Sequence, residues 1–227
     1  MTDVIAVKST ERHRRRLHPG AVRTMHWINA VAIIILIGSG WRIYDDEVIF
    51  GWLHFPDWAV IGIWAQYGLQ WHFFAMWILM LNGLAYLAYG LTTGRFRRKL
   101  LPIWPGEVIN QIRAALRFNL AHDDITHYNA VQKLLYVGII LVIVLQVLTG
   151  WVIWKPIQLS ELTYLLGGFQ SARLIHFFGM VAIVGFLVVH VALALIVPKT
   201  IGAMITGGPH EPTAEPTDAA PLATPAQ

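Results

Sequence analysis

Two histidines fourteen residues apart, His176 and His190, lie in one uncharged apolar stretch, Leu174–Pro198. A helix of about 20 residues crosses a hydrocarbon core of about 30 Å, so this stretch is long enough to span a membrane. At about 100° and 1.5 Å per residue, the two imidazoles share one helix face and stand about 21 Å apart along the axis. Each then lies near a different membrane surface. Ionisable side chains at membrane depth are costly and point to function, and neutral imidazole is a common metal ligand. Two such ligands stacked on one helix suit two redox centres, one toward each side of a bilayer.

The elements that must supply the opposing ligands follow from composition. Of 227 residues, 56% are hydrophobic and 13% charged, with mean hydropathy +0.54. Soluble domains carry about 25% charged residues, so the chain reads as an integral membrane protein. Ten tryptophans and seven tyrosines suit interfacial belts. Four spans emerge, at about Ala21–Trp41, Trp71–Leu91, Leu134–Trp154 and Leu174–Val197. They are apolar all round, which favours helices over a barrel with its alternating pattern. The basic run before Ala21 resembles a signal peptide, but the apolar stretch exceeds a signal core of 7–15 residues and reads as a retained span. The segment Trp58–Leu69 reads as a loop or interfacial helix. No internal repeat emerges from the residues read in order.

Fourteen of the seventeen Lys and Arg lie in the N-terminal part through Arg23, in the segment Arg95–Lys133 or at the C-terminal end; Arg42, Lys155 and Arg173 are the exceptions. The positive-inside rule puts both termini and the middle loop in the cytoplasm. These cations flank apolar spans, which accounts for the net charge of +4 without nucleic acid. The expected architecture is all-α: an integral membrane four-helix bundle with both termini cytoplasmic. Pro105–Leu120 reads as a cytoplasmic interfacial amphipathic helix. Residues 1–20 form a basic N-terminal segment, 21–200 the four-span domain, and 201–227 a Pro-, Thr- and Ala-rich tail of disordered composition.

Orientation assigns depths. His72 and His176 lie at the outer ends of their spans; His26 and His190 lie toward the inner side. Two histidines from different helices at one depth can hold a haem from both faces. No position is then left for oxygen, which favours electron transfer over bond-making chemistry. The chain has no cysteine, which rules out thiolate-ligated clusters and covalent c-type haem within it. Two b-type haems are expected, His72/His176 on the periplasmic side and His26/His190 on the cytoplasmic side. His54 competes for the outer one, whereas His13, His18, His122, His127 and His210 fall in tails and the inner loop. Gly38, Gly40, Gly83, Gly179 and Gly185 could make room for flat macrocycles, or simply let helices approach. Arg42 and Arg173 outside, and Arg23 and Lys133 inside, could pair with propionates or act only as topology charges. Asn129, Gln132 and His127, where the third span meets the cytoplasm, offer the hydrogen-bond donors a quinone carbonyl needs; polar residues are also ordinary at such a point. No catalytic residue is assigned.

Met25-His26-Trp27-Ile28-Asn29, the His176–His190 spacing and His127-Tyr128-Asn129-Ala130-Val131-Gln132-Lys133 resemble the di-haem cytochrome b subunits of respiratory formate dehydrogenases and nickel–iron hydrogenases, which are bacterial cytochrome b561-like proteins. The resemblance covers Leu17–Val197. It implies that the matching histidines bind haem and that Asn129 contacts quinone, with Gln132 and Lys133 beside it. Trp71-His72-Phe73-Phe74-Ala75-Met76-Trp77, Asn82-Gly83-Leu84-Ala85-Tyr86 and Gly94-Arg95-Phe96-Arg97-Arg98 look most like cytochromes paired with periplasmic molybdopterin oxidoreductases. The expected role is a bacterial inner-membrane anchor carrying electrons between a periplasmic molybdopterin-dependent or iron–sulfur oxidoreductase and the quinone pool, with the substrate reaction on the partner. The 29-residue link Arg42–Gln70, acidic and aromatic, is a docking surface or an aromatic belt on lipid. Two other roles are weighed: a stand-alone cytochrome taking electrons from a small external reductant such as superoxide, and a histidine-lined transporter without haem.

Overall fold

Long apolar segments in lipid must satisfy their own backbone hydrogen bonds, and a helix does so within one segment. A computed structural model describes residues 18–99 and 130–208, and between them 104, 106, 107, 109, 110 and 113. In chain order the helices are α1 (Gly20–Asp46), α2 (Ala65–Thr92), α3 (Arg95–Lys99), α4 (Ala130–Trp154), α5 (Ser160–Leu165), α6 (Phe169–Ile196) and α7 (Pro198–Thr206). Every regular element among the described residues is a helix, and α1, α2, α4 and α6 are long and apolar enough to cross a membrane. The protein is an all-α, multi-pass membrane bundle. Large apolar side chains such as Val31, Leu81, Leu141 and Leu195 remain exposed, as a lipid-facing surface requires.

The helices outrun their apolar stretches. Of the segment expected to be a loop or interfacial helix, only the part up to Trp64 is irregular; the rest is the first turn of α2. Trp64 is extended (φ −126°, ψ 160°), and the chain turns at Gly62 with φ +103°. A Cβ on Gly62 would lie 2.5 Å from the Gly68 nitrogen, so glycine alone permits both the turn and this contact. Residues 106, 107, 109, 110 and 113 are helical; the remainder of the expected amphipathic helix lies outside the described residues.

The tail boundary at residue 201 differs from what is observed, because 201–206 belong to α7. Pro198 sits at the first turn of α7, where its fixed φ starts a helix. Left-handed Gly207 (φ +105°) ends α7. The helix is fastened to the start of α1. The His18 N–H donates to the Gly207 carbonyl at 3.0 Å, Trp27 Nε1–H to the Met204 carbonyl at 3.3 Å, and the Arg23 guanidinium to the Ile205 carbonyl.

The spans form two hairpins, α1–α2 and α4–α6, with the closest backbone packing inside each. The hairpins are copies. Ser39-Gly40-Trp41 recurs 110 residues on as Thr149-Gly150-Trp151, and His72-Phe73-Phe74-Ala75-Met76 recurs 104 residues on as His176-Phe177-Phe178-Gly179-Met180. Their contacts match as well. Ser39 Oγ lies 3.1 Å from His72 Nδ1, and Thr149 Oγ1 lies 2.9 Å from His176 Nδ1. Between hairpins, Tyr44 meets Phe177 at 5.2 Å and Trp154 meets Phe73 at 5.0 Å, one contact seen from its two sides. A pseudo-two-fold therefore passes through the facing pair His72 and His176. The repeat overturns the reading that none exists. Its signal is short, and the two offsets differ by six residues because the connecting loops differ in length. Both hairpins start from the end that carries the termini, so the repeat is parallel.

Candidate functional site

The structure brings His72 of α2 opposite His176 of α6, with ring centroids 6.3 Å apart and planes at 59°. Toward the end carrying the termini it brings His26 of α1 opposite His190 of α6, also at 6.3 Å, with planes at 53°. Two metal–imidazole bonds of about 2.0 Å, plus about 1.1 Å from each nitrogen to its ring centre, span about 6 Å. Each gap therefore has the size for one metal atom between two imidazoles. Among the described residues no three His, Asp or Glu side chains converge; the potential ligands come in opposed twos. His54 stays in the loop, exposed, with Nδ1 3.7 Å from Asp45 Oδ1.

Hydrogen bonding fixes which nitrogen faces the gap at the first pair. Ser39 and Thr149 are the two fully buried polar side chains among the described residues. The Ser39 hydroxyl donates to the Ile35 carbonyl at 2.6 Å, and the Thr149 hydroxyl to the Leu145 carbonyl at 2.8 Å. A hydroxyl has a single proton, so toward histidine each oxygen can only accept. His72 and His176 then carry their protons on Nδ1, and the Nε2 lone pairs are left for a metal. This is the outer support that orients metal-bound histidines. Gly40 and Gly150 complete the cradle, since a Cβ on either would come 3.4 Å from the Cε1 of its histidine. Ser39, Thr149 and Gly150 are absent from the sequence-based site; the [Ser/Thr]-Gly-Trp recurrence was the signal available.

The second pair is held differently. His190 stacks on Phe186 at 5.5 Å, His26 meets the edge of Trp27 at 5.1 Å, and His26 Nδ1 is buried without a hydrogen-bond partner. Asn82 of α2 donates to the Met25 carbonyl and to Asn29 Oδ1, each at 2.7 Å, and so fixes the turn of α1 that presents His26.

Other expected contributors divide. Gly38 is filled by Ile61 and Gly179 by Gln146, whereas Gly83 and Gly185 face open space. Arg42 donates to the Ile63 carbonyl at 2.6 Å, and Arg173 to the Glu47 carbonyl at 2.7 Å. These two arginines fasten the loop, and Arg23 fastens α7. Gln132 and Lys133 lie in the first turn of α4, Gln132 exposed. Asn129, His127, His122, His13 and His210 lie outside the described residues.

Two opposed imidazoles with free Nε2 atoms, a metal-sized gap and a glycine at each ring edge fit a haem held on both axial sides. Over residues 17–207 the sequence matches the family described as prokaryotic cytochrome b561. The chain belongs to that family. It is also 44% identical, over 191 residues, to the candidate protein-methionine-sulfoxide reductase subunit YedZ1 of Azospira oryzae, a match covering 84% of this chain and 96% of that one. As a member of the b561 family the protein is a transmembrane cytochrome b of electron transport, and it binds b-type haem. The donor set suits that cofactor, because it is all imidazole and arranged in facing pairs.

Anchoring through Nδ1 makes an imidazole a more basic ligand, which favours oxidised iron. Thr149→Val removes the acceptor at His176 while keeping the side chain's shape. The expected outcome is full haem content with one haem potential raised by about 40 mV, the equivalent of about 1 kcal/mol for one hydrogen bond. A spectroelectrochemical titration of purified protein checks this; an unchanged potential refutes the anchoring role.

Proposed function

We propose that this b561 cytochrome carries electrons from the quinol pool to a periplasmic oxidoreductase, with two haems, one at His26/His190 and one at His72/His176. The observation that carries the proposal is the recurrence of one histidine separation, 6.3 Å, at two levels of a four-span bundle. Bound haem supplies a one-electron carrier at each level. His26 with His190, and His72 with His176, would hold the haem from its two sides and so would leave no site open to oxygen. About 21 Å of α6 separates His176 from His190, which sets the two levels toward opposite membrane surfaces.

The concentration of Lys and Arg supports cytoplasmic termini, hence an inner-membrane protein whose 47–64 and 155–168 loops face the periplasm. The name of the Azospira relative, a reductase subunit, supports outward flow. Reduction of methionine sulfoxide to methionine consumes two electrons and two protons and releases water; oxidation of a quinol to a quinone yields the two electrons. The resemblance to cytochromes paired with molybdopterin enzymes supports a soluble molybdenum partner over an iron–sulfur one. A small external reductant such as superoxide would need no structured outer surface, and the fastened 47–64 loop favours a protein.

Quinol oxidation requires hydrogen-bonding groups near a wet face; Gln132 in the first turn of α4 offers one, and the family resemblance adds Asn129, three residues before it in sequence. With purified protein carrying two haems per chain, Asn129→Ala is expected to slow haem reduction by quinol about tenfold at unchanged haem content. Stopped-flow spectroscopy reads both quantities. Wild-type haem that a quinol analogue fails to reduce would sink the quinol reading, and one haem per chain would sink the two-level one.

A further inference from the structure

The pseudo-two-fold relates contacts between the hairpins to one another. Tyr44–Phe177 corresponds to Trp154–Phe73, and His72–His176 corresponds to itself. The remaining histidine pair, His26–His190, breaks the symmetry. Its counterpart positions, 110 residues after 26 and 104 residues before 190, hold Tyr136 on α4 and Tyr86 on α2. We propose that Tyr86 and Tyr136 line the symmetry twin of the His26–His190 site, and that this twin takes the quinone ring. The inference rests on the quinol reading above and gives it a location.

The chemistry of the two sites differs as their residues do. Facing imidazoles offer lone pairs to a metal, whereas phenols offer O–H donors. A quinone has two carbonyl acceptors on a flat apolar ring, and two aromatic phenols can hydrogen-bond the carbonyls and pack against the ring. Both tyrosines are half-buried. The Tyr86 side has an apolar wall. The Phe96 ring lies 5.4 Å from the Tyr86 ring and rests on Gly90, where a Cβ would come 2.3 Å from it. Gln132, one helical turn from Tyr136 toward the termini, is exposed and links the site to water.

The twin lies at the same depth as His26 and His190, across the bundle, so a quinol there would sit beside the level at which those histidines would hold haem. Its two electrons would pass one at a time to that carrier, its two hydroxyl protons would leave by the phenols and Gln132 toward the nearby aqueous face, and quinone would remain.

Tyr86→Phe and Tyr136→Phe keep the rings and remove the hydroxyls. In the full-length protein, with a short-chain ubiquinol as probe, each is expected to raise KM about five- to tenfold, the equivalent of one lost hydrogen bond, with haem content unchanged. A short-chain azidoquinone should label α2 and α4 in the wild type, and less in the variants. A wild type that ubiquinol fails to reduce overturns both the quinol reading and this site. A wild type that turns over, with unchanged KM in both variants or labelling confined to α1 and α6, overturns the site alone.

Discussion

Exchanging His176 for alanine is expected to leave a cytochrome with half of its haem. His176 and His190 sit on one helix, but each faces a different partner, His72 or His26, at 6.3 Å. Removing one imidazole opens one gap and leaves the other pair intact. In His176→Ala and His72→Ala, the haem-to-protein ratio should fall from two to one, and quinol should still reduce what remains. In His190→Ala and His26→Ala the ratio should fall equally, but the surviving haem should respond to dithionite and only slowly to quinol. The two classes thus share a stoichiometry and differ in kinetics, which simple misfolding would not produce. His54→Ala should change neither quantity, since His54 faces Asp45. A pyridine haemochrome assay with stopped-flow reduction reads the whole set. Loss of both haems from every variant, or of one from His54→Ala, would break the pairing.

The four spans were legible because lipid leaves the chain few choices and apolar length alone places them. Helical rise also predicted that His72 would meet His176 and His26 would meet His190, the two pairs that the structure brings together. What the sequence concealed lies in short polar details inside apolar runs. Ser39 and Thr149 count as neutral residues in a hydropathy reading, and only their carbonyl partners at Ile35 and Leu145 reveal that each must accept from histidine. The repeat escaped for a related reason. Its contiguous identities are short and centre on the His72–His176 level, while most other paired positions differ, as at Val31 against Leu141 and Leu81 against Gly185. At the His26 and His190 level the paired positions differ in residue type, Tyr136 and Tyr86 standing opposite them in the repeat. The α7 helix is hidden because residues 201–206 adjoin a tail of disordered composition, and the carbonyls at Met204 and Ile205 that hold Trp27 and Arg23 are tertiary facts with no local signal.

The loop between α1 and α2 gives the other large effect. Its inward side is fastened: Phe55 stacks on Trp41 at 4.5 Å, and Phe50 packs on Phe177 at 5.5 Å. The Phe50 N–H donates to the Tyr44 hydroxyl at 3.0 Å, and the Phe55 N–H to Asp45 Oδ1 at 3.1 Å. Against this rigid backing Trp52 and Trp58 stand 80% and 87% exposed, and the Asp57 side chain is fully exposed beside them. Preorganised tryptophans ringed by charge are what interface hot spots are made of, each costing about 2 kcal/mol or more when truncated. Trp52→Ala with Trp58→Ala should therefore weaken docking of the proposed periplasmic partner by at least about thirtyfold, as read by partner-dependent haem oxidation at varied partner concentration. Haem content should not change. Asp57→Asn should act on the other axis, slowing association at low salt and little at high salt, because rim charges steer encounter more than they hold the complex. Tryptophans that merely rest on lipid give a different pattern: normal partner kinetics in the double variant, with altered detergent extraction. Whichever pattern appears also bears on the choice of donor or acceptor outside, since a small diffusing reductant would ignore Trp52 and Trp58 and a docked protein cannot.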